Sequence, residues 1–532
     1  MIGLSLSSYL STMSTDDQRL EEAQALFKAG KFEEAKLIFA ELVERHPMHG
    51  VAWQGLGYVA GKQRQYERAV QYLAQAQQYL PPSLEIYVQL TYLSKLARLN
   101  EQALSWVEQG LRLAPRDYEA LSYKTGILIE LGRYEEAVAH IRQVLEIYPN
   151  DAQLYFQFGQ ISGVMGRLQD EEDAYRRALQ IKPDALQVRV NLGVALRDQF
   201  KFDEALSQFN HVLKVDPNHA GARTNRAQLN LLLGNLPQGW KDYEWRWLDG
   251  VASHGIEGPR WQPPKSVKAA QPCKLLIHAE QGFGDTIQFS RYVAALNTLF
   301  PKTEIIFRVQ HELVSFLRPN FPQINVQSAQ DPMVEFDAHL PLLSAPFALE
   351  KYLQAIPALV TPFSVSEEKF REWGARLGVK NRCRVGLVWS GRPTHLNDKN
   401  RSVTLTHMLS LLSERHDFYS LQKEIRPQDQ QVLSGESRLQ SFGADLHDFS
   451  DTAALCQHMD LVISVDTSVA HLAASLGRPT WVMLPHLPDW RWQLNRSDTD
   501  WYDTVRLFRQ ASPGKWAEVI EQVKDALTQK LS

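Results

Sequence analysis

Three stretches hold side chains whose types and spacing could act on a phosphorylated ligand. The first, Leu461 to Pro479, reads LVISVDTSVAHLAASLGRP: a short β-branched run, a polar turn, then helix formers at nearly every position from Thr467 to Leu476. Asp466, Thr467 and Ser468 are good N-caps, and the helix they open would present free amides and its positive dipole end above a sheet, a place for a phosphate. His471 shares a polar face with Thr467, Ser468 and Ser475 that is expected to look toward the ligand, while Ala470, Ala473, Ala474 and Gly477 form a small-residue face for close packing. The same pattern also fits an ordinary capped helix of an α/β domain, with His471 a hydrogen-bonded, half-buried histidine.

The second stretch is His278 to Thr286, HAEQGFGDT. Gly282 and Gly284 would let the backbone pass close to a ligand, and Asp285 is placed where a helix begins, either as its N-cap or as a general base taking a proton from an acceptor hydroxyl. A helix start keeps a carboxylate ionised and weakly basic, so such a base would act late, once bond formation has acidified the hydroxyl. The third stretch, Val388 to Ser402, carries Arg392, Lys399 and Arg401. These cations would either neutralise a diphosphate leaving group beside Thr467 or form a solvated basic loop. Pro488-Asp489-Trp490-Arg491-Trp492 suits stacking on a base or sugar, and equally suits closing a domain interface, whereas Asp498-Thr499-Asp500 lies in a polar loop away from any strand end and is set aside as a metal motif.

The elements that position these stretches follow from the rest of the chain. At 532 residues more than one domain is expected. A net charge of -4 gives no general reason for a nucleic-acid partner or an anionic membrane surface, and no segment approaches the roughly 20 apolar residues of a membrane span. Cys273, Cys383 and Cys456 are widely spaced and lack metal-ligand spacing, which suits a reducing cytoplasm and supports neither a disulfide framework nor zinc. Met1 to Leu10 lacks the basic start and apolar run of a signal peptide and is read as an N-terminal tail over 1–15.

The first half repeats. Pro47, Pro81, Pro115, Pro149, Pro183 and Pro217 recur every 34 residues, as do Ala35, Ala69, Ala103, Ala137 and Ala205, with Glu171 and Gly239 filling two steps of that series. Trp53, Tyr87 and Tyr155 take the aromatic position of the first helix of a tetratricopeptide pair, Gly57, Gly159 and Gly193 its close-approach position, and Phe39, Tyr175, Phe209 and Tyr243 the large position of the second helix. Seven repeats over 16–251 should stack as a right-handed α-solenoid, the last degenerate, with Arg223, Arg226 and Arg246 where a repeat abutting another domain would have them. Such an array holds a peptide or protein, or serves as a spacer or dimerisation surface.

A glycine- and proline-rich linker, 252–272, ends the repeats. Beyond it, strands and helices alternate: strands at Lys274 to His278, Glu304 to Val309 and Ile324 to Gln327 in a first unit (273–365), and at Arg384 to Trp389, Phe418 to Leu421, Leu461 to Val465 and Thr480 to Leu484 in a second (366–532). Helices are expected at Thr286 to Leu299, His311 to Leu317, Leu405 to Leu412 and Thr452 to Gln457. Two Rossmann-like units facing a cleft, lined by the carboxyl ends of their sheets, are the predicted architecture. The glycine turn is no dinucleotide fingerprint, since Ile287 stands where a third glycine belongs, and no Walker lysine follows it.

Taken together, GFGDTIQFSRY, VDTSVAHLAASLGRP and WSGRPTHLNDKNRS resemble the heptosyltransferase-like glycosyltransferases of the GT-B fold. Joined to tetratricopeptide repeats, the arrangement over about residues 16–530 is similar to the bacterial protein glycosyltransferases that modify flagellin, and in layout to the protein O-linked GlcNAc transferases. The resemblance implies Asp285 as catalytic base, a donor-diphosphate motif at Asp466, Thr467, Ser468 and His471, a phosphate contact at Lys399, and a last helix, Trp516 to Leu531, that crosses back onto the first unit. It implies no metal and no cofactor beyond the nucleotide-sugar substrate. Ser468 departs from the family's glycine, which bears on the donor, and the first unit is short, so the repeats would supply acceptor surface. The expected function is a cytoplasmic, metal-independent, inverting transfer of sugar to a protein acceptor such as flagellin. The alternatives are a non-catalytic repeat scaffold with a degenerate nucleotide-binding region, or a dehydrogenase on the same doubly wound frame.

Overall fold

A computed structural model describes residues 15–250, 255–267, 273–359, 361–395 and 397–530. The chain divides into two compact units that meet in sequence at Lys201 and Phe202.

In the first unit every described helix belongs to the repeat pattern, from Thr15–Lys28 and Phe32–Arg45 to Leu186–Asp198. Ala35, Ala69, Ala103 and Ala137 are fully buried. A Cβ at Gly57 would stand 2.6 Å from Leu73, and one at Gly159 2.4 Å from Tyr175, so these glycines set the helix spacing as expected. A second 34-residue series was not legible beforehand. Gly30, Arg64, Arg98, Gly132, Gly166 and Phe200 all adopt positive φ, and the amide after each donates five residues back, as Lys31 does to Leu26 and Lys201 to Leu196. This left-handed helix end recurs even where the residue is arginine or phenylalanine, because the next helix of the pair must start at a fixed angle.

Glu171 breaks the small-residue rule. It reaches toward Gly163, where a Cβ would lie 2.6 Å from its Oε1. Burial first, and then Asp198, push its carboxyl up to about 7, against the pull of Arg197. A carboxyl raised from its unfolded value of about 4.3 binds its proton more tightly when folded, so its contribution to stability is complete below about pH 4.3 and lost as pH rises through about 7. Glu171→Gln is therefore expected to stabilise the repeats by about 1–2 kcal/mol at pH 8, discounted for partial exposure, and by about nothing at pH 4. Urea unfolding at the two pH values checks this; an equal effect at both would dismiss the ionisation argument.

The second unit opens with helices Phe202–Val215, Ala220–Leu232 and Leu236–Tyr243 and the 3-10 turn Glu244–Trp247. Gly234 continues the positive-φ series here. Two parallel sheets follow. The front sheet contains β1 (Cys273–His278), β2 (Thr303–Val309), β3 (Asn325–Ser328) and β4 (Ala338–Pro341) in the order β3-β2-β1-β4. The rear sheet contains β5 (Cys383–Val388), β6 (His416–Ser420), β7 (Leu439–Ser441), β8 (Leu461–Val465), β9 (Thr480–Leu484) and β10 (Val505–Arg509), ordered β10-β9-β8-β5-β6-β7. All ladders are parallel, as the βα alternation requires. The predicted class, a tetratricopeptide solenoid followed by an α/β region, is the observed one.

Three strands escaped the sequence reading. β4 ends in Pro341, β7 is three residues long, and β10 alternates arginine with apolar residues on an edge of the sheet, so none carries the continuous apolar run of a buried strand. The helix expected at Leu405 to Leu412 is a short turn, Leu405–Met408, passing into a 3-10 segment. Helix Trp516–Lys530 corrects another expectation. Its Trp516, Val519, Ile520, Val523 and Leu527 lie in one core with Val385, Leu387, Trp481 and Phe508, so it covers the rear sheet rather than crossing to the front one.

Candidate functional site

The carboxyl end of β1 leads into helix Phe283–Leu299, which begins three residues earlier than the sequence suggested. Gly282 precedes it, and Asp285 occupies the third helical position instead of the N-cap, with Oδ2 accepting the Gly282 amide at 2.8 Å. Asp285 Oδ1 accepts from Arg491 Nη2, and the carboxylate keeps a fifth of its surface exposed.

Gly284 does not approach open space. A Cβ there would stand 3.0 Å from His471 Cδ2 and 3.3 Å from Ser468 Cα, so the start of helix 283–299 packs on the start of helix Ser468–Ser475. At this point the expected gap between the α/β modules is closed by direct helix contact, and the glycine serves packing rather than ligand approach. Gly284→Ala is expected to cost about 1–3 kcal/mol, because the obstacle includes backbone of the facing helix; an unchanged thermal midpoint would contradict the contact.

The polar face assigned to helix Ser468–Ser475 is also corrected. His471 is 4% exposed and Ser475 1%. The imidazole stacks on Trp492 at 5.2 Å between centroids, and its Nδ1 lies 3.1 Å from Tyr502 Oη. Burial, with Arg491 and Arg291 behind it, holds the His471 pKa down at about 3, so the ring is neutral. It is an interior contact of the junction. Thr467 is the N-cap residue, yet its hydroxyl lies 3.1 Å from Ser464 Oγ and makes no cap bond of its own.

Asp466 is largely buried at the end of β8. Its carboxyl is pushed up to about 6 by burial and then by Asp489, with Arg401 pulling the other way. Arg401 turns inward: Nη1 donates to the Asp466 carbonyl at 2.9 Å, so it braces the turn 466–468. Arg392 and Lys399, on the same loop, are exposed. His395, on the same loop, has its pKa lowered by burial and then by Arg401, with Asp489, Asp398 and Asp285 opposing. The structure thus gathers Asp285, Gly284, Asp466, Thr467, Ser468, His471 and Arg401 at one junction, whereas Arg392, Lys399 and Gly282 are exposed.

Of the two readings of the PDWRW segment, interface closure holds. Trp490 packs edge-on to Trp240 at 5.3 Å and Tyr243 at 6.0 Å, both from the last repeat. Asp498 and Asp500 each hold Arg496 at 2.8 Å, which accounts for the DxD pattern. Arg491, expected only to stack or to close an interface, also reaches Gln288 and Asp285. Glu280 is paired with Arg246 Nη2 at 2.8 Å, both side chains fully buried, and Gln281 is held by Tyr243 Oη at 3.1 Å. The arginine at a normally apolar repeat position was the available signal. Arg223 and Arg226 instead hold the buried Asp242 within the repeat.

Residues 447–482 match glycosyltransferase family 9 (heptosyltransferase). The matched segment contains β8, the turn 466–468 and helix Ser468–Ser475, the rear half of the junction just described. Residues 20–83, 96–152 and 190–239 match the tetratricopeptide repeat, and Glu171 lies in the unmatched stretch between the last two. Protein FlbA of Caulobacter vibrioides is 24% identical over 328 residues, covering 57% of this chain and 54% of FlbA. The chain thus spans about half the length of that curated relative. Among solved structures, the tetratricopeptide protein YrrB, described as having an unusual peptide-binding site, is 17% identical at a TM-score of 0.31, covering 35% of this chain and 97% of YrrB. MamA from Desulfovibrio magneticus RS-1 is 18% identical at a TM-score of 0.30, covering 32% and 96%. The chain therefore carries tetratricopeptide repeats and a segment similar to glycosyltransferase family 9.

Proposed function

We propose that this chain transfers a sugar from a nucleotide-sugar donor to a protein acceptor held by its repeats, with metal-independent inversion on a GT-B frame. The repeats (16–251) present the acceptor, the front module (273–365), joined to them by the linker (252–272), supplies the base, and the rear module (366–532) takes the donor. The acceptor hydroxyl oxygen attacks the anomeric carbon, the bond from that carbon to the phosphate oxygen breaks with its electron pair staying on the diphosphate, and the hydroxyl proton passes to Asp285. Amides at the start of helix Ser468–Ser475 and the cations Lys399 and Arg392 receive the departing charge, while Arg401 holds the turn in shape. Flagellin is the acceptor to which the family resemblance points, and the cytoplasm the compartment.

The observation that supports this reading is the contact of Gly284 with Ser468 and His471, which brings the carboxylate of one module beside the helix tip of the other. One observation favours the scaffold reading: both oxygens of Asp285 are engaged, by Gly282 and by Arg491. Incubation of the full chain with a panel of nucleotide sugars, with and without flagellin, separates the two. Release of nucleoside diphosphate together with a hexose-sized or larger mass increment on the acceptor supports transfer. A thermal shift with a nucleotide and no turnover of any donor supports the scaffold.

A further inference from the structure

Arg491 is nine-tenths buried, and each edge of its guanidinium is occupied. Nε donates to Gln288 Oε1 at 2.9 Å, Nη1 to Asp489 Oδ1 at 2.7 Å, and Nη2 to Asp285. The Trp490 ring lies 4.1 Å from it, fixing the plane of the fork. Gln288 and Asp285 belong to helix 283–299 and Asp489 to the rear module, so one guanidinium ties the two together. Two carboxylates share that single positive charge, and the largely buried Asp466 adds a third acid on the side of Asp489. Asp285 and Asp489 keep 20% and 35% of their side chains exposed, so solvent can take up either one if it is released. A phosphate carries more negative charge than a carboxylate and offers the planar fork two oxygens at once.

We infer that Arg491 is a positioning residue for Asp285: it holds the carboxylate in the resting protein and exchanges it for a donor phosphate arriving at the turn 466–468, so that the base is freed only when donor is bound. This inference rests on the glycosyltransferase reading. It gives a reason for the engagement of Asp285 Oδ1 by Arg491, while Oδ2 stays with the Gly282 amide.

Two measurements test it. In the first, the full chain, Asp285→Asn, Arg491→Lys and the double variant are unfolded thermally, in buffer and with excess inorganic pyrophosphate. The losses should be non-additive in buffer and additive with pyrophosphate; the same non-additivity in both overturns the exchange. In the second, donor kinetics are measured on the full chain, Arg491→Lys and Asp489→Asn. Arg491→Lys keeps the charge but not the fork, and should raise the donor KM about 10-fold with kcat changed far less. Asp489→Asn, which removes the competing acid, should lower KM. A merely structural arginine would reduce stability and active fraction without moving KM in opposite directions in the two variants, and that result also overturns the proposal. Absence of any donor turnover by the parent protein defeats the glycosyltransferase reading, while the pyrophosphate cycle still decides whether Arg491 changes partners.

Discussion

Asp285→Asn is expected to lower sugar transfer by about 1,000-fold or more without weakening donor binding. Asparagine preserves the side chain's volume and can still accept the Gly282 amide, so the start of helix 283–299 keeps its geometry. It cannot accept a proton near neutral pH. It also withdraws one of the two carboxylates from Arg491, leaving Asp489 and Gln288 to hold the guanidinium. Single-turnover transfer and calorimetric donor titration on the purified variant give the two quantities separately. Normal turnover would remove Asp285 from the mechanism; loss of donor binding in parallel with rate would make it a structural residue of the junction.

The second large effect lies at the seam between the last repeat and β1. Arg246→Met should destabilise the second unit by about 3–5 kcal/mol, the range for stranding one member of a buried ion pair. Glu280 is fully buried, and Arg246 reaches it from Nη2 at 2.8 and 3.0 Å and from Nε at 3.3 Å. Burial opposes the Arg246 charge, but Glu280 and Glu244 beside it outweigh that and hold the guanidinium pKa above its usual value. With methionine in its place, Glu280 retains the Leu343 amide at 2.8 Å and no cation. Glu280→Gln should cost less, because Arg246 keeps Glu244 at 3.0 Å. Denaturant unfolding followed by intrinsic tryptophan fluorescence, which includes Trp240 and Trp247 near the seam, reports the ranking. Equal losses, or none, would refute it. Glu280 directly precedes Gln281 and Gly282, so the same variant should loosen the turn that carries Asp285.

That seam shows why a repeat can be legible while its purpose is not. Arg246 is conspicuous as a charge in an apolar repeat position, and its guanidinium reaches Glu280 beyond the repeats. Its partner could not be named, because Glu280 lies 34 residues away across a linker and looks in sequence like any polar residue after a strand. Arg491 has the same character: its role depends on Asp285, which is 206 residues distant.

Other departures have local causes. The Gly282-Phe283-Gly284 run reads as a loop because glycine disfavours helix, yet helix contacts override that preference: Phe283 packs at a tilt on Phe449, 5.0 Å between ring centroids, and Gly284 admits the facing helix. His471 reads as a ligand-facing residue because periodicity assigns faces without saying which other element covers them. Here Trp492 and Tyr502, from a loop beyond β9, cover it.

By itself the sequence determined the solenoid of helical pairs, the change to alternating strands and helices, and the two turns at the ends of β1 and β8, because each is written in local periodicity and in residues that start or stop an element. Tertiary structure alone decided that helix 283–299 abuts helix 468–475, that His471 is interior, that Arg491 clamps Asp285 and that Arg246 meets Glu280. Those outcomes depend on which buried charge finds a counter-charge and which surface excludes water, and both are settled between segments far apart in the chain.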